Sequence, residues 1–290
     1  MYKIAILGCE NIHADAFISI VKEKKAVSDV EFIGVYSDEP EAMQKLNEKW
    51  GVPMMKRYDE LVGRVDGIMI TARHGDNHYK YAKPYIDDGI PMFIDKPITV
   101  SEEDALAFMH ELKSKGIKAV GGSGCVYMPE ITDIREKLDS GELGKILGGF
   151  FRGPINPVNN YGGFFFYTQH VAQVMCYLLG YYPKSVRAYV NGKVTTVVVR
   201  YEDYDAVMEY VEGSGLYYAG VSCQKAYVGE TCPVNEDIYI PEFMHYYDIL
   251  TGKEQNQCYE QLIAPVFVLN AIKRSINSGE EESVNIIGEI

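Results

Sequence analysis

A basic surface is the first thing this sequence lacks: 28 Lys and Arg stand against 41 Asp and Glu in 290 residues, a formal net charge of -13. Binding to a phosphate backbone needs a basic face, and the densest Lys cluster is the short Lys22-Glu23-Lys24-Lys25 at a helix end. A nucleic-acid partner is therefore not expected, and a small molecule is. Paired cysteines are also missing. Cys9, Cys125, Cys176, Cys223, Cys232 and Cys258 contain no Cys-x-x-Cys spacing, so reduced structural thiols are expected, without disulfides or a structural zinc. No uninterrupted apolar run reaches the roughly 18 residues of a membrane span, and the stretch 1–7 is too short and wrongly flanked for a signal peptide. These absences lead us to expect a cytoplasmic protein. Nothing is low in complexity. With 47% hydrophobic and 24% charged residues, the chain is long enough for two ordinary domains with real cores.

What is present begins as alternation. An apolar strand over 3–7 ends at Gly8, after which Ala14, Phe17, Ile20 and Val21 recur at helical spacing. A strand at 30–36, a helix at 41–50, a break at Gly51-Val52-Pro53, a helical turn at 59–62 and a strand at 67–71 follow. A helix at 78–88 closes on Gly89, and the next strand runs into Asp95-Lys96-Pro97. Ser101-Glu102-Glu103-Asp104 reads as a capped helix start, and that helix ends at Gly116 before a strand at 117–120. Strands alternating with helices of this length mean βαβ units, so residues 1–122 are expected to form a doubly wound parallel sheet of the nucleotide-binding kind.

Residues 123–290 read differently. After a helix at 129–140 come strand-like runs at 145–152, 185–190, 195–200, 206–211 and 216–222, joined by short turns that imply antiparallel pairing. Two helices, 168–179 and 259–277, interrupt or close the set. An α+β domain with a mostly antiparallel sheet is expected.

Within the first domain, Asp95-Lys96-Pro97 concentrates the chemistry. Proline biases the residue before it toward extended geometry, which holds Lys96 at a strand end, and that edge of an open parallel sheet is where ligands sit. The alternative for the tripeptide alone is a strand-to-helix turn facing solvent. His170 has a similar ambiguity: on an aromatic helix it can be a core histidine with a satisfied hydrogen bond or a proton shuttle. His74 and His78 have the i, i+4 spacing of a metal pair, but Gly75 and Asp76 point to a loop and no third ligand is evident, so no metal is expected.

The order of these parts resembles the glucose-fructose oxidoreductase and inositol 2-dehydrogenase (Gfo/Idh/MocA) family. The likeness rests on the block from Gly89 to Ser101 with Asp95-Lys96-Pro97, on Leu138-Asp139-Ser140-Gly141-Glu142-Leu143-Gly144-Lys145-Ile146, on Gly162-Gly163 followed by His170 and Leu179-Gly180, and on the stretch from Ala271 to Gly279. It implies a Rossmann-type domain binding NAD or NADP, a carboxy-terminal sheet serving the substrate and contact between copies, and therefore a homo-oligomer. It also implies hydride transfer on a sugar-like or polyol hydroxyl, with Lys96 and His170 flanking the reacting carbon.

Three departures qualify that likeness. In Gly8-Cys9-Glu10-Asn11-Ile12-His13-Ala14 only Gly8 of the three phosphate-loop glycines survives; a carboxylate at Glu10 repels a pyrophosphate unless it turns away, or else the loop is shortened so that His13-Ala14 aligns. At the second strand's end Ser37 takes the ribose acid's place and Asp38 follows, which favours NAD over NADP. Phe166 stands four residues before His170, where the resemblance leads one to expect an acid, with the Tyr167 phenol beside it. The residues expected around the cofactor are Gly8, Cys9, Glu10, Asn11, Ile12, Ser37, Asp38, Thr71, Arg73, His78, Asp95, Lys96 and Pro97, with Lys96, His170 and Tyr167 as candidate catalytic groups. A non-catalytic relative used as a ligand sensor or partner subunit is the alternative, and a lyase or hydrolase with tightly held NAD is a third reading.

Overall fold

The computed structural model describes residues 1–285, which form two compact units. The first opens with β1 (Tyr2–Leu7), α1 (Ile12–Lys22), β2 (Val30–Tyr36), α2 (Pro40–Trp50), β3 (Gly67–Ile70), α3 (Asp76–Ala82), β4 (Met92–Asp95), α4 (Glu102–Ser114) and β5 (Ala119–Gly122). Its strands pair in parallel in the order β2-β1-β3-β4-β5. β3 and β4 are buried along their whole length, which is why their sequences read as continuous apolar runs rather than alternating ones. The strand order reverses between β1 and β3, and the crevice outside the carboxyl ends of these two strands is where such sheets take ligands.

Two local expectations are corrected. Residues 59–62 form successive i+3 turns, Val62 N–H to Asp59 O at 3.3 Å and Arg64 N–H to Leu61 O at 3.0 Å, because Gly63 at φ 70° stops a helix before it can propagate. The expected helix at 78–88 is α-helical only to Ala82; Lys83–Asp88 tightens to a 3-10 helix, since Pro84 has no N–H to continue the ladder.

The second unit contains α5 (Pro129–Asp139), β6 (Ile146–Ile155), α6 (Phe164–Leu179), β7 (Ser185–Asn191), β8 (Val194–Arg200), β9 (Asp205–Glu212), β10 (Tyr217–Cys223) and β11 (Tyr227–Cys232). The short turns do give antiparallel pairs, with one exception: β6 and β9 run parallel. The reason is the long connection after β6, in which α6 and the β7–β8 hairpin intervene before the chain returns alongside it. Phe151, Val197, Met208 and Ala219 point to the buried face, where Gly153 leaves room for Val171 of α6; a Cβ there would collide with it. The opposite face carries the in-register row Tyr189, Thr196, Glu209, Arg152, Tyr218 and Thr231. β11 escaped the sequence reading because its residues are largely exposed and carry little apolar pattern.

A further helix, α7 (Tyr239–Leu250), was not expected either, although Tyr239, Phe243, Tyr246 and Leu250 recur at helical spacing and are all buried. Residues Tyr239–Leu262 group with the first unit, whereas the sequence reading had assigned all of 123–290 to the second. Gly67 of β3 lies under the Tyr246 hydroxyl, the Tyr247 hydroxyl donates to Asp29 at 2.9 Å, and Lys118 Nζ donates to the Lys253 carbonyl at 2.7 Å. The last elements are α8 (Tyr259–Ser278), whose Ser275 hydroxyl accepts from the Ala188 N–H of β7 at 2.9 Å, and the short edge strand β12 (Glu282–Ser283). Among the described residues no helix is long and apolar enough to cross a membrane.

Candidate active site

In the first unit the candidate residues converge on the carboxyl ends of β1 to β4. Gly8 turns the chain out of β1 at φ 82°, and a Cβ there would collide with Ala72 after β3; the Thr71 hydroxyl closes the same junction by donating to the Gly8 carbonyl at 2.7 Å. Asn11 caps α1 by accepting from the His13 N–H at 2.9 Å, while its amide donates to the Thr71 carbonyl at 2.5 Å. Glu10 turns toward the ends of β2 and β3: one carboxylate oxygen accepts from the Ser37 hydroxyl at 2.8 Å, the other from the Arg73 N–H at 2.8 Å. Asp38 is held by the hydroxyls of Tyr36 at 2.5 Å and Tyr81 at 2.8 Å, and these donors keep its carboxyl below the usual carboxylate range. Cys9 is buried, and burial together with the Glu10 charge pushes its thiol up to about 12, so it packs as an uncharged side chain. Ile12 is 62% exposed at the start of α1.

Behind these loops lies a buried ionisable cluster. Asp95, completely buried at the end of β4, accepts from the Lys96 N–H at 2.7 Å and from the Asn11 amide at 3.3 Å, and pairs with His13 Nδ1 at 2.7 Å. Burial alone would raise the Asp95 carboxyl; its interactions with His13 and Lys96 outweigh it and hold the group well below the usual range. Lys96 is only 4% exposed, and its bond to Pro97 is cis. His78 faces inward, with Nε2 2.7 Å from the Ala72 carbonyl, and burial lowers its pKa. Among the described residues no group of three His, Cys, Asp or Glu could hold a metal ion. α7 adds a residue that sequence reasoning missed. Glu242 is 3% exposed, its Oε2 lacks a hydrogen-bond partner among the described residues, and burial reinforced by the Asp95 charge, against the opposing pull of Lys96, pushes its carboxyl well above the usual range. Tyr239 of the same helix packs on the His13 ring at 4.9 Å between centroids.

In the second unit His170 lies on α6. Its Nδ1 is 2.6 Å from the Ser123 hydroxyl and 3.4 Å from Cys125 Sγ, and its ring meets Tyr217 edge-on at 6.0 Å. Gln173, one turn further on, accepts the Ser123 N–H at 2.9 Å. Tyr167 lies in the first turn of α6, its ring edge-on to Phe166 at 4.8 Å, and Phe166 in turn faces Tyr161 at 5.9 Å. Gly162 and Gly163 adopt positive φ before the helix, and a Cβ on Gly163 would come 2.7 Å from the Pro157 carbonyl, so this turn needs glycine. Ser123 and Cys125 were missed because their link to His170 joins segments more than 40 residues apart and leaves no local signal.

With this geometry in hand, comparison with known proteins is direct. Residues 2–122 match the oxidoreductase family described by its NAD-binding Rossmann fold, Gfo/Idh/MocA. The chain is 28% identical over 158 residues to scyllo-inositol 2-dehydrogenase (NAD(+)) of Bacillus subtilis (strain 168), a match covering 51% of this chain and 45% of that protein, less than half of the relative's length. Scyllo-inositol dehydrogenase from Lactobacillus casei, solved with bound NAD(H) and scyllo-inositol, superposes with a TM-score of 0.85 at 14% identity, over 98% of this chain and 99% of that one. Myo-inositol 2-dehydrogenase from Lactobacillus plantarum gives 0.83 at 13% identity, over 97% and 99%. At such identities the structural likeness is one of fold. Residues 2–122 thus match the Gfo/Idh/MocA oxidoreductase family with its NAD-binding Rossmann fold, and along nearly its whole length the chain shares the fold of solved inositol dehydrogenases.

Proposed function

We propose that this protein is an NAD-dependent oxidoreductase acting on a secondary hydroxyl, or the corresponding ketone, of a polyol or sugar-like substrate. The observation that carries the reading is Lys96: a buried amine at the end of β4, beside a carboxylate anchored by His13 and Asn11, in the unit that matches an NAD-binding family. The inositol dehydrogenases among its relatives supply the substrate class.

The residues present fit the cofactor. Gly8 brings the β1 and β3 loops close together, and the start of α1 offers its positive dipole end at the sheet's switch point. The Glu10 carboxylate, which would repel a pyrophosphate, is bonded toward Ser37 and Arg73 instead, where it is suited to accept from ribose hydroxyls. With Asp38 close by in sequence, it disfavours a 2′-phosphate, so NAD is preferred to NADP. When bound, the nicotinamide supplies the hydride acceptor or donor. Lys96 Nζ holds the reacting oxygen and takes or returns its hydroxyl proton, and Asp95 fixes the backbone from which that side chain extends. His170 is the proton-handling group of the second unit, and Tyr167 contributes a phenol to the same helix. The free thiols of all six cysteines fit a reducing cytoplasm. The uncovered face of the second sheet fits contact with another copy of the chain.

Fluorescence titration of the full-length protein with NADH and NADPH tests the reading, followed by turnover assays with inositol isomers. Binding of NADH in preference to NADPH and reduction of NAD by a polyol are expected; no binding of either near ~1 mM, a free energy of about -4 kcal/mol, overturns it. Phe166 favours a second reading, a ligand-binding relative without turnover, for which cofactor and polyol would bind and no NADH would form.

A further inference from the structure

We propose that Ser123 is a positioning residue that fixes the neutral tautomer of His170, with the ring proton on Nε2 and Nδ1 as acceptor. The argument is an accounting of one buried hydroxyl. Ser123 is 1% exposed, and its oxygen already accepts the Cys125 N–H at 3.2 Å. Its other partner among the described residues is His170 Nδ1, at 2.6 Å, a distance typical of a strong hydrogen bond. A serine hydroxyl has a single proton to give, and a neutral imidazole has one nitrogen that donates and one that accepts. If Nδ1 carried the proton, the serine hydrogen would be buried without an acceptor, which native interiors rarely tolerate. The hydroxyl therefore donates, Nδ1 accepts, and the proton resides on Nε2.

The surroundings hold this arrangement in place. Ser123 N–H donates to Gln173 Oε1 at 2.9 Å, and the Gln169 amide donates to the same oxygen at 3.4 Å, so α6 grips Ser123 by its backbone one turn beyond His170. Cys125 Sγ, 3.4 Å from Nδ1, brings a second hydrogen-bearing group to the same nitrogen. A serine, unlike a carboxylate, brings no negative charge to Nδ1. The ring it orients is suited to present Nε2–H to a substrate oxygen as a neutral donor. This catalytic consequence rests on the function proposed above, whereas the tautomer does not.

Nitrogen-15 NMR of histidine-labelled, full-length protein at alkaline pH, without cofactor, tests the proposal. The His170 signals, assigned by their loss in His170→Gln, should show a protonated, pyrrole-type Nε2 and a hydrogen-bonded, pyridine-type Nδ1. Ser123→Ala should shift the Nδ1 resonance toward that of an unbonded acceptor, and Ser123→Thr should restore it. If turnover is found, kcat should fall about 10-fold in Ser123→Ala with KM little changed, the order expected for one hydrogen bond, and recover in Ser123→Thr. A protonated Nδ1 in the wild-type spectrum, or an unaltered Nδ1 signal in Ser123→Ala, overturns the proposal. Should the alanine variant fail to fold, the wild-type spectrum alone decides. Absence of NADH binding would sink the dehydrogenase reading while leaving the tautomer standing.

Discussion

Lys96 and Glu242 are buried ionisable side chains with different consequences. If Lys96 handles the hydroxyl proton as proposed, replacing it with Met should lower kcat for polyol oxidation by about 10²- to 10⁴-fold, the usual weight of general acid–base catalysis, with circular dichroism confirming the fold. Glu242 acts on stability. Its folded-state pKa is raised, so the folded protein retains a proton that the unfolded chain releases above about 4.3. The unfolded state then binds fewer protons, and the Glu242 contribution, complete below that value, is lost as pH rises toward and through the folded pKa. Glu242→Gln keeps the shape without the titration. Urea unfolding should find this variant more stable than wild type at pH 8, with the gap shrinking as pH falls and closing only below about pH 4; an equal gap at both would show that Glu242 is not held protonated. At this scale the sequence exposed Lys96 through its neighbours Asp95 and Pro97, because a strand end followed by proline is a local signal. Glu242, His13 as the partner of Asp95, and Ser123 carried no such signal, since each meets its partner only after distant segments fold together.

At the scale of elements, the turn after β1 shows how one glycine can suffice where three were expected. Gly8 has both a left-handed φ and contact with Ala72 that forbids a Cβ, whereas Glu10 is tied by Ser37 and Arg73 and Asn11 supplies the cap. Gly8→Ala is expected to destabilise the fold by about 2 kcal/mol or more, combining left-handed strain with overpacking, and to weaken NADH binding; denaturant unfolding and fluorescence titration check the two effects. Strands and helices with strong periodicity, such as α2, α4 and the β7–β8 hairpin, were legible within a few residues. The 3-10 segment Lys83–Asp88 was misread because apolar spacing does not distinguish it from an α-helix, although Pro84 was the available warning. α7 was overlooked amid the aromatics of the run 227–250, yet it supplies the buried acid of the first-unit cluster.

At the scale of the whole molecule, the outer face of the second sheet bears Tyr189 and Tyr227, each more than half exposed, with Leu216 at 64% in the loop before β10. If another copy covers this face, light scattering after gel filtration should give an oligomeric mass for the wild type. A doubly charged variant, Tyr189→Glu with Tyr227→Glu, should then lower that mass with little change in circular dichroism, because burying a carboxylate in a contact is costly. A monomeric wild type would remove this role from the sheet. The sequence by itself determined the alternation of strand and helix through residue 122, the shift to a sheet-rich second part and the strand-end position of Lys96, since periodicity and proline geometry act over a few residues. Only the tertiary structure decided the return of Tyr239–Leu262 to the first unit, the parallel pairing of β6 with β9, the redirection of Glu10 and the pairing of Ser123 with His170. These depend on which distant groups are buried together, where each must find a partner for its charge or hydrogen, and no local pattern specifies that partner.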